Sequence, residues 1–276
     1  MPVHAQALMQ VLEKLGGKSK LEEMGDNVLI YQMWNETISQ EDGTLRRLVG
    51  FPDSDENTIL SGPHIGVANP LFKTPRKICV EKGDYDVVSL LDIPDDYIQR
   101  TNYIPNIDKQ KYNNKIPELR NCSKYSSLYR VICRRRLNLK QERTLNGAII
   151  PPGIGHINML VGAAFMDTRS MTLMSGYIAS LPYDFFVKTL GKGDLSVENF
   201  NKLPYFESKY SNAIIVRVLL LNCLTQRYND LWKEMYSEEF TKDLLVKCVC
   251  NTPHMNISLH FLWEMTKKLN AKLGRL

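Results

Sequence analysis

The sequence predicts an α+β fold in which a mixed, mostly antiparallel β-sheet has flanking helices and a helical C-terminal part. Two observations lead to this prediction. Short apolar or β-branched runs separated by Gly, Pro, Asn and Asp dominate the first 150 residues, and apolar residues at helical spacing dominate from residue 181 onwards. With 276 residues, of which 43% are hydrophobic, the chain is also long enough to bury a substantial core.

The predicted elements begin with an amphipathic helix over 3–15, which Gly16 and Gly17 end. Strands are predicted at 27–31, 58–60, 78–80, 87–90, 128–133 and 147–150, with a loop-rich stretch at 92–127. Helices are predicted at 181–190, 211–235 and 256–273. Pro182 suits the first turn of the first of these helices, and Ser211 is the expected cap of the second.

We expect two parts, an α+β domain over 1–210 and a helical extension over 211–276 that packs on it. The stretch 148–166 has no charged residue, but Pro151, Pro152 and Gly153 interrupt it. It therefore predicts a buried strand, a tight turn and a helix start, and no membrane span. The opening residues lack the basic start and apolar stretch of a secretory leader, and six cysteines form no tight framework. Both features predict a cytoplasmic protein with free thiols.

Positive charge is concentrated in one segment of the chain. Between Arg100 and Arg143, twelve Lys and Arg residues stand against three acidic ones, a net charge of +9, whereas the whole chain carries +5. Tyr and Asn residues are interleaved with these cations. Lys and Arg neutralise phosphates, and Asn, Arg and Tyr can contact or stack on bases, so this segment predicts contact with nucleic acid.

Two other kinds of chemistry remain open at this stage. A metal-dependent nuclease would use Asp53 with Glu207 and Lys209, in the acidic and Glu-x-Lys roles such enzymes need. Cys248, Cys250, His254 and His260 are ligand types that suit zinc, but the single residue between the cysteines is atypical, and core thiols with a surface histidine explain the pattern better. A third alternative is a protein-interaction subunit of a phage-defence complex, in which residues 211–273 dock a partner.

An ordered set of motifs resembles one family of proteins. The motifs are Trp34-Asn35-Glu36-Thr37, Asp42-Gly43-Thr44-Leu45-Arg46-Arg47, Leu60-Ser61-Gly62-Pro63-His64, Asn69-Pro70-Leu71-Phe72-Lys73-Thr74-Pro75-Arg76, Pro94-Asp95-Asp96-Tyr97, Arg100-Thr101-Asn102-Tyr103, Arg143-Thr144-Leu145, Ala148-Ile149-Ile150-Pro151-Pro152-Gly153, Leu181-Pro182-Tyr183-Asp184-Phe185 and Leu203-Pro204. Over 27–235 the chain resembles the C-terminal target-recognition (TaqI-like specificity) region of type IIG-like adenine-specific DNA methyltransferases, which occur in restriction–modification and phage-defence systems.

The resemblance implies that the chain binds double-stranded DNA and selects its sequence. In that family a separate domain binds S-adenosylmethionine and methylates adenine. No donor-binding motif is visible here, so we expect no cofactor and no catalytic residue in this chain. We expect a methyltransferase catalytic domain or subunit as its partner.

Eleven residues are the predicted DNA contacts. Those expected to bind phosphates or bases are Lys73, Arg76, Arg100, Arg130, Arg134, Arg135, Arg136 and Arg143, and those expected at base edges or sugars are Asn102, Tyr103 and His156. Because side chains alternate along a strand, Arg135 should point away from its two neighbours. We therefore expect at least one of these three arginines to pair with an acidic residue of the chain.

Overall fold

A four-stranded antiparallel sheet forms the middle layer of the fold, in the order β1-β10-β7-β8. A computed structural model of the chain describes residues 3–90 and 93–242. Its strands are β1 (Val28–Tyr31), β2 (Leu45–Gly50), β3 (Ile59–Leu60), β4 (Lys73–Pro75), β5 (Tyr85–Val87), β6 (Thr101–Pro105), β7 (Arg130–Arg134), β8 (Gly147–Ile150), β9 (Gly155–His156) and β10 (Leu160–Phe165). Its α-helices are α1 (Val3–Gly16), α2 (Glu36–Glu41), α3 (Lys109–Asn114), α4 (Thr168–Ala179), α5 (Leu181–Thr189), α6 (Val197–Asn201), α7 (Ser211–Asn222) and α8 (Asn229–Met235).

Both faces of this sheet are covered, because β8 and β10 are buried along their whole length. On β7, Val131 and Cys133 belong to the large apolar cluster that includes α4, α5, α7 and α8. Ile132, between them, belongs to a smaller cluster on the other side, with Leu60 and Ile65. The alternation of side chains along the strand thus places helices on one face and short strands on the other.

The short strands pair outside the main sheet. β2 pairs with β6 and β4 with β5, both antiparallel, whereas β3 and β9 are parallel. The predicted α+β class, with mostly antiparallel sheets, is therefore confirmed. The described helices α7 and α8 share the large apolar cluster with the sheet. The proposed boundary at residue 210 remains a prediction.

Helix α4 packs closely against α7 at Gly176. A β-carbon added there would lie 2.8 Å from Val218 Cγ2 and closer still to Ile214 Cγ2. We expect Gly176→Val to reduce the free energy of unfolding by about 1–3 kcal/mol, since overpacked side chains must shift. Urea-induced unfolding measures this change. Gly193→Val is the matched control, because a β-carbon at Gly193 meets no atom within 4 Å. Equal losses in both variants would contradict the close packing.

Several predicted elements are wrong. Residues 78–80 form no strand, and Ile78 and Val80 are more than three-quarters exposed. The helix start predicted before residue 166 is instead strand β10, which β1 and β7 flank. The loop-rich stretch 92–127 contains β6 and α3.

The long helix predicted over 211–235 is two helices. Helix α7 ends at Asn222, and a short 3₁₀ turn over Gln226–Tyr228 precedes α8. Ser211 does not cap α7, because it is the first helical residue and its Oγ accepts from the Ser208 N–H. The predicted helix 256–273 lies outside the described residues.

Candidate nucleic-acid interface

The β4–β5 hairpin carries the first group of predicted contacts. Its loop is ordered by Asp84, whose Oδ2 accepts from the N–H groups of Val80 and Glu81 at 2.9 and 2.8 Å. These backbone hydrogen bonds lower the pKa of Asp84. Arg76 directly follows the last residue of β4. Its Nε lies 3.0 Å from Asp86 Oδ1, and its side chain is 55% exposed.

Arg100 packs against this hairpin although it lies well beyond it in sequence. Its N–H donates to Thr74 Oγ1 and its Nη1 to the Pro75 carbonyl, both at 3.1 Å. The Arg100 guanidinium also lies 4.9 Å from the centre of the Phe51 ring. A cation over an aromatic face is attracted by the ring's electrons and keeps its charge available at the surface.

Phe72 brings two further cations to the same place. Lys73 Nζ lies 5.3 Å and Arg134 Cζ 5.4 Å from the centre of its ring. Arg134 Nε donates to the Ile65 carbonyl at 2.6 Å, and burial lowers its pKa. We call Lys73, Arg76, Arg100 and Arg134 the hairpin surface.

A directional chain of hydrogen bonds runs beside the hairpin surface. His64 Nδ1 accepts from the Ser61 N–H at 3.0 Å, which leaves Nε2–H to donate to the Arg100 carbonyl at 2.9 Å. With Nδ1 as acceptor, the Ser61 hydroxyl donates to it and accepts from Tyr85 Oη, which lies 2.8 Å away. Tyr85 Oη in turn accepts from Asn102 Nδ2 at 2.5 Å.

The chain of hydrogen bonds ends at a cavity of about 360 Å³ next to the hairpin. We call it the amide cavity, and its polar and charged lining includes Glu36, Arg47, Ser61, Glu81, Lys82, Tyr85, Asn102 and Tyr103. Asn102 is only 8% exposed. Two buried oxygen atoms, Asn102 Oδ1 and Glu36 Oε2, have no hydrogen-bond partner among the described residues.

Arg130 and His156 do not lie at this surface, because both are fully buried. The Arg130 guanidinium donates to the carbonyls of Leu128 and Ile154, and its Cζ lies 4.8 Å from the centre of the Tyr125 ring. His156 Nε2 lies 3.1 Å from Tyr125 Oη, and burial lowers the pKa of this histidine to about 3. Neither side chain can reach a ligand on the surface, so both leave the set of DNA contacts.

The remaining predicted arginines lie elsewhere. Arg135 forms a bidentate pair with Asp194, with Nε–Oδ1 and Nη2–Oδ2 distances of 2.8 and 2.9 Å. The expectation that one arginine of the three pairs with an acidic residue is therefore confirmed. Arg136 is exposed, and Arg143 Nη2 donates to the Ala179 carbonyl on the helical side of the sheet.

Much of the charge in the 100–143 segment is matched locally. Six of its cations lie within 3.4 Å of a carboxylate oxygen, namely Lys109, Lys111, Lys115, Lys124, Arg135 and Arg143. A larger cavity of about 650 Å³ beside α3 is lined by two of them, Lys109 and Lys124. The segment's net charge therefore overstates the cationic surface that it offers.

The structure brings together six of the eleven predicted contacts, the hairpin surface plus Asn102 and Tyr103 at the amide cavity. Sequence reasoning missed Glu36, Arg47 and Tyr85 as members of the site. Glu36 and Arg47 belong to the motifs that resemble the methyltransferase family, and this was the signal in the sequence that could have identified them as site residues. Tyr85 gave none, because it meets Asn102 only where the β4–β5 hairpin packs against β6.

The residues of the nuclease alternative lie apart from this site. The Glu207 carboxylate lies 3.5 Å from Arg169 Nε, and Lys209 Nζ lies over the Tyr210 ring. Asp53 is exposed in the loop after β2. Within residues 3–90 and 93–242, no three His, Cys, Asp or Glu side chains cluster as metal ligands would. The four Cys and His residues proposed for zinc lie outside the described residues.

In comparisons with known proteins, no protein-family model and no curated protein matches this chain. Among the described residues, no helix has the length and apolar character that a bilayer crossing requires.

Proposed function

We propose that this chain is the DNA-binding target-recognition module of an adenine-specific DNA methyltransferase or restriction–modification enzyme. The S-adenosylmethionine-binding catalytic part is then supplied by another domain or subunit. Support comes from the ordered motifs over 27–235 and from the hairpin surface with its neighbouring cavity.

One observation carries the proposal. Lys73, Arg100 and Arg134 come from distant parts of the chain and converge on one hairpin, each over an aromatic ring. None of the three has a carboxylate within 4.0 Å among the described residues. Unpaired cations held at fixed positions are the groups that phosphates bind, and a methyltransferase must grip the duplex while its target base is out of the stack.

A salt titration of binding to duplex DNA tests the proposal. Each phosphate contact contributes about −0.9 to the slope of log affinity against log salt, so Lys73→Gln/Arg100→Gln/Arg134→Gln should flatten the slope by up to about 2.7. The matched control is Lys109→Gln/Lys111→Gln/Lys115→Gln, which removes the same charge from cations that already face carboxylates. The control should keep most of the slope.

The absence of binding at low salt, by the unmodified protein, would contradict the proposal. A protein-interaction role would then be the better explanation, because large apolar side chains are exposed around the same hairpin. Phe51, Ile78 and Val80 are 61%, 77% and 76% exposed. A catalytic methyltransferase subunit is the partner that the resemblance favours for this apolar surface.

A further inference from the structure

We propose that the amide cavity binds a single unstacked nucleobase that carries an amino group, with Asn102 and Glu36 accepting its N–H hydrogens. The inference rests on the proposed DNA-binding function and names what the module reads. The two residues come from different elements, since Glu36 begins α2 and Asn102 lies on β6.

The hydrogen-bond chain from His64 fixes the orientation of the Asn102 amide. Each member donates in one direction, from Asn102 Nδ2 through Tyr85 Oη and Ser61 Oγ to His64 Nδ1. The nitrogen of the amide is therefore occupied, and its oxygen is the buried atom of this lining residue left without a partner. Since the amide cannot turn over without breaking this chain of hydrogen bonds, Asn102 offers the cavity an acceptor and not a donor.

Glu36 Oε2 adds a second unpaired acceptor to the same lining. A buried oxygen without a hydrogen bond costs free energy, so folded proteins rarely retain one unless water or a ligand satisfies it. Two such oxygens on residues that line one cavity favour a ligand that donates hydrogen bonds.

The charges around the cavity favour a neutral donor over a cation. Arg47 and Lys82 balance Glu36 and Glu81 in the lining. The Tyr103 ring also lines the cavity and offers a planar ligand a surface for stacking. An amino-bearing base is neutral, planar and a donor.

The depth of the site argues for a base that has left the duplex. Asn102 is about nine-tenths buried, and the edge of a base that remains stacked in a duplex does not reach a side chain so far below the surface. Enzymes that modify bases turn the target nucleotide out of the helix, which leaves unpaired bases near the recognition region. Adenine, cytosine and guanine have the amino group and thymine lacks it.

Binding of free nucleotides tests the cavity independently of duplex binding. Isothermal titration with dAMP, dCMP, dGMP and dTMP should give dissociation constants at least about tenfold lower for the three amino-bearing nucleotides than for dTMP. Glu36→Gln and Asn102→Leu should each abolish this preference. Asn106→Leu is the control, since Asn106 is an exposed residue just after β6 and does not line the cavity.

A second arm uses duplexes that differ only in one bulged nucleotide, A or T. The unmodified protein should prefer bulged A by a similar factor, and Glu36→Gln should remove the preference without changing the salt slope. Equal binding of all four nucleotides, or no binding, would overturn the inference even if duplex binding holds. A base preference that survives in both cavity variants, or binding of spermidine in place of bases, would overturn it too. Loss of the salt-dependent duplex binding alone would instead overturn the proposed function.

Discussion

Replacing Arg130 by methionine should lower the free energy of unfolding by about 2–5 kcal/mol, because buried carbonyl oxygens would lose their hydrogen-bond donor. Methionine nearly fills the volume but cannot donate to the carbonyls of Leu128, Pro151 and Ile154. The oxygens of Pro151 and Ile154 would remain buried without this donor, at about 1–3 kcal/mol each. Burial also lowers the pKa of Arg130, so part of this loss is offset by relief from burying its charge.

Urea-induced unfolding at neutral pH measures the effect. Arg120→Met is the control, because Arg120 belongs to the same basic segment and is exposed. The control should change stability by less than about 0.5 kcal/mol. A loss of similar size in both variants, or none in either, would show that the Arg130 contacts do not stabilise the fold.

Stability should also fall steeply as the pH drops below 6.5. His64 and His156 are fully buried, and burial lowers the pKa of both, that of His156 to about 3. In the unfolded chain each titrates near the ordinary histidine value of 6.5. Between pH 6.5 and about 3 the unfolded state therefore binds a proton at residue 156 that the folded state does not, which costs about 1.4 kcal/mol per pH unit. His64 adds to this loss below pH 6.5, because its folded-state pKa is lowered in the same direction. Above pH 6.5 both states are neutral and this contribution to stability is complete.

Unfolding free energies measured between pH 7 and 4.5 isolate this effect. The carboxylates whose pKa values are lowered, Asp42 to about 2 and also Asp84 and Asp108, lose their contribution mainly at lower pH. His156→Gln should remove about 1.4 kcal/mol per pH unit from the slope in this window and leave the contribution of His64. An unchanged slope in that variant would contradict the burial of a neutral His156.

Local patterns were sufficient for some elements and insufficient for others. Strand β8 and helix α5 were predicted nearly to the residue, because each has clear boundaries, such as Gly191 with its φ of +65° after α5. Strand β10 was misassigned because a short apolar run fits a buried strand or a buried helix equally well. The segment is a strand because it pairs with β1 and β7, and β1 lies far away in sequence.

In the candidate site, too, local sequence identified some residues, whereas others depend on tertiary contacts. Charge counting found Lys73, Arg76 and Arg100, but it cannot distinguish an arginine on the surface from Arg130, which lies among backbone carbonyls. The Asn102 amide gains its role only through Tyr85, and that contact depends on how two separate ribbons of strands pack together. Such contacts follow from tertiary structure and leave no local trace in the sequence.

The interruption between α7 and α8 has a consequence for self-association. Strand β8 is an edge of the main sheet, and exposed edge strands can pair with strands of other molecules. Here the Ile149 N–H donates to Asn222 Oδ1 at 3.0 Å, and the Ile149 carbonyl accepts from Tyr228 Oη at 2.8 Å. The Gly147 carbonyl accepts from the Ala68 N–H. Because the two helices separate at this point, both side chains reach the edge, and an incoming strand finds these backbone groups already occupied, which protects the protein against aggregation through β8.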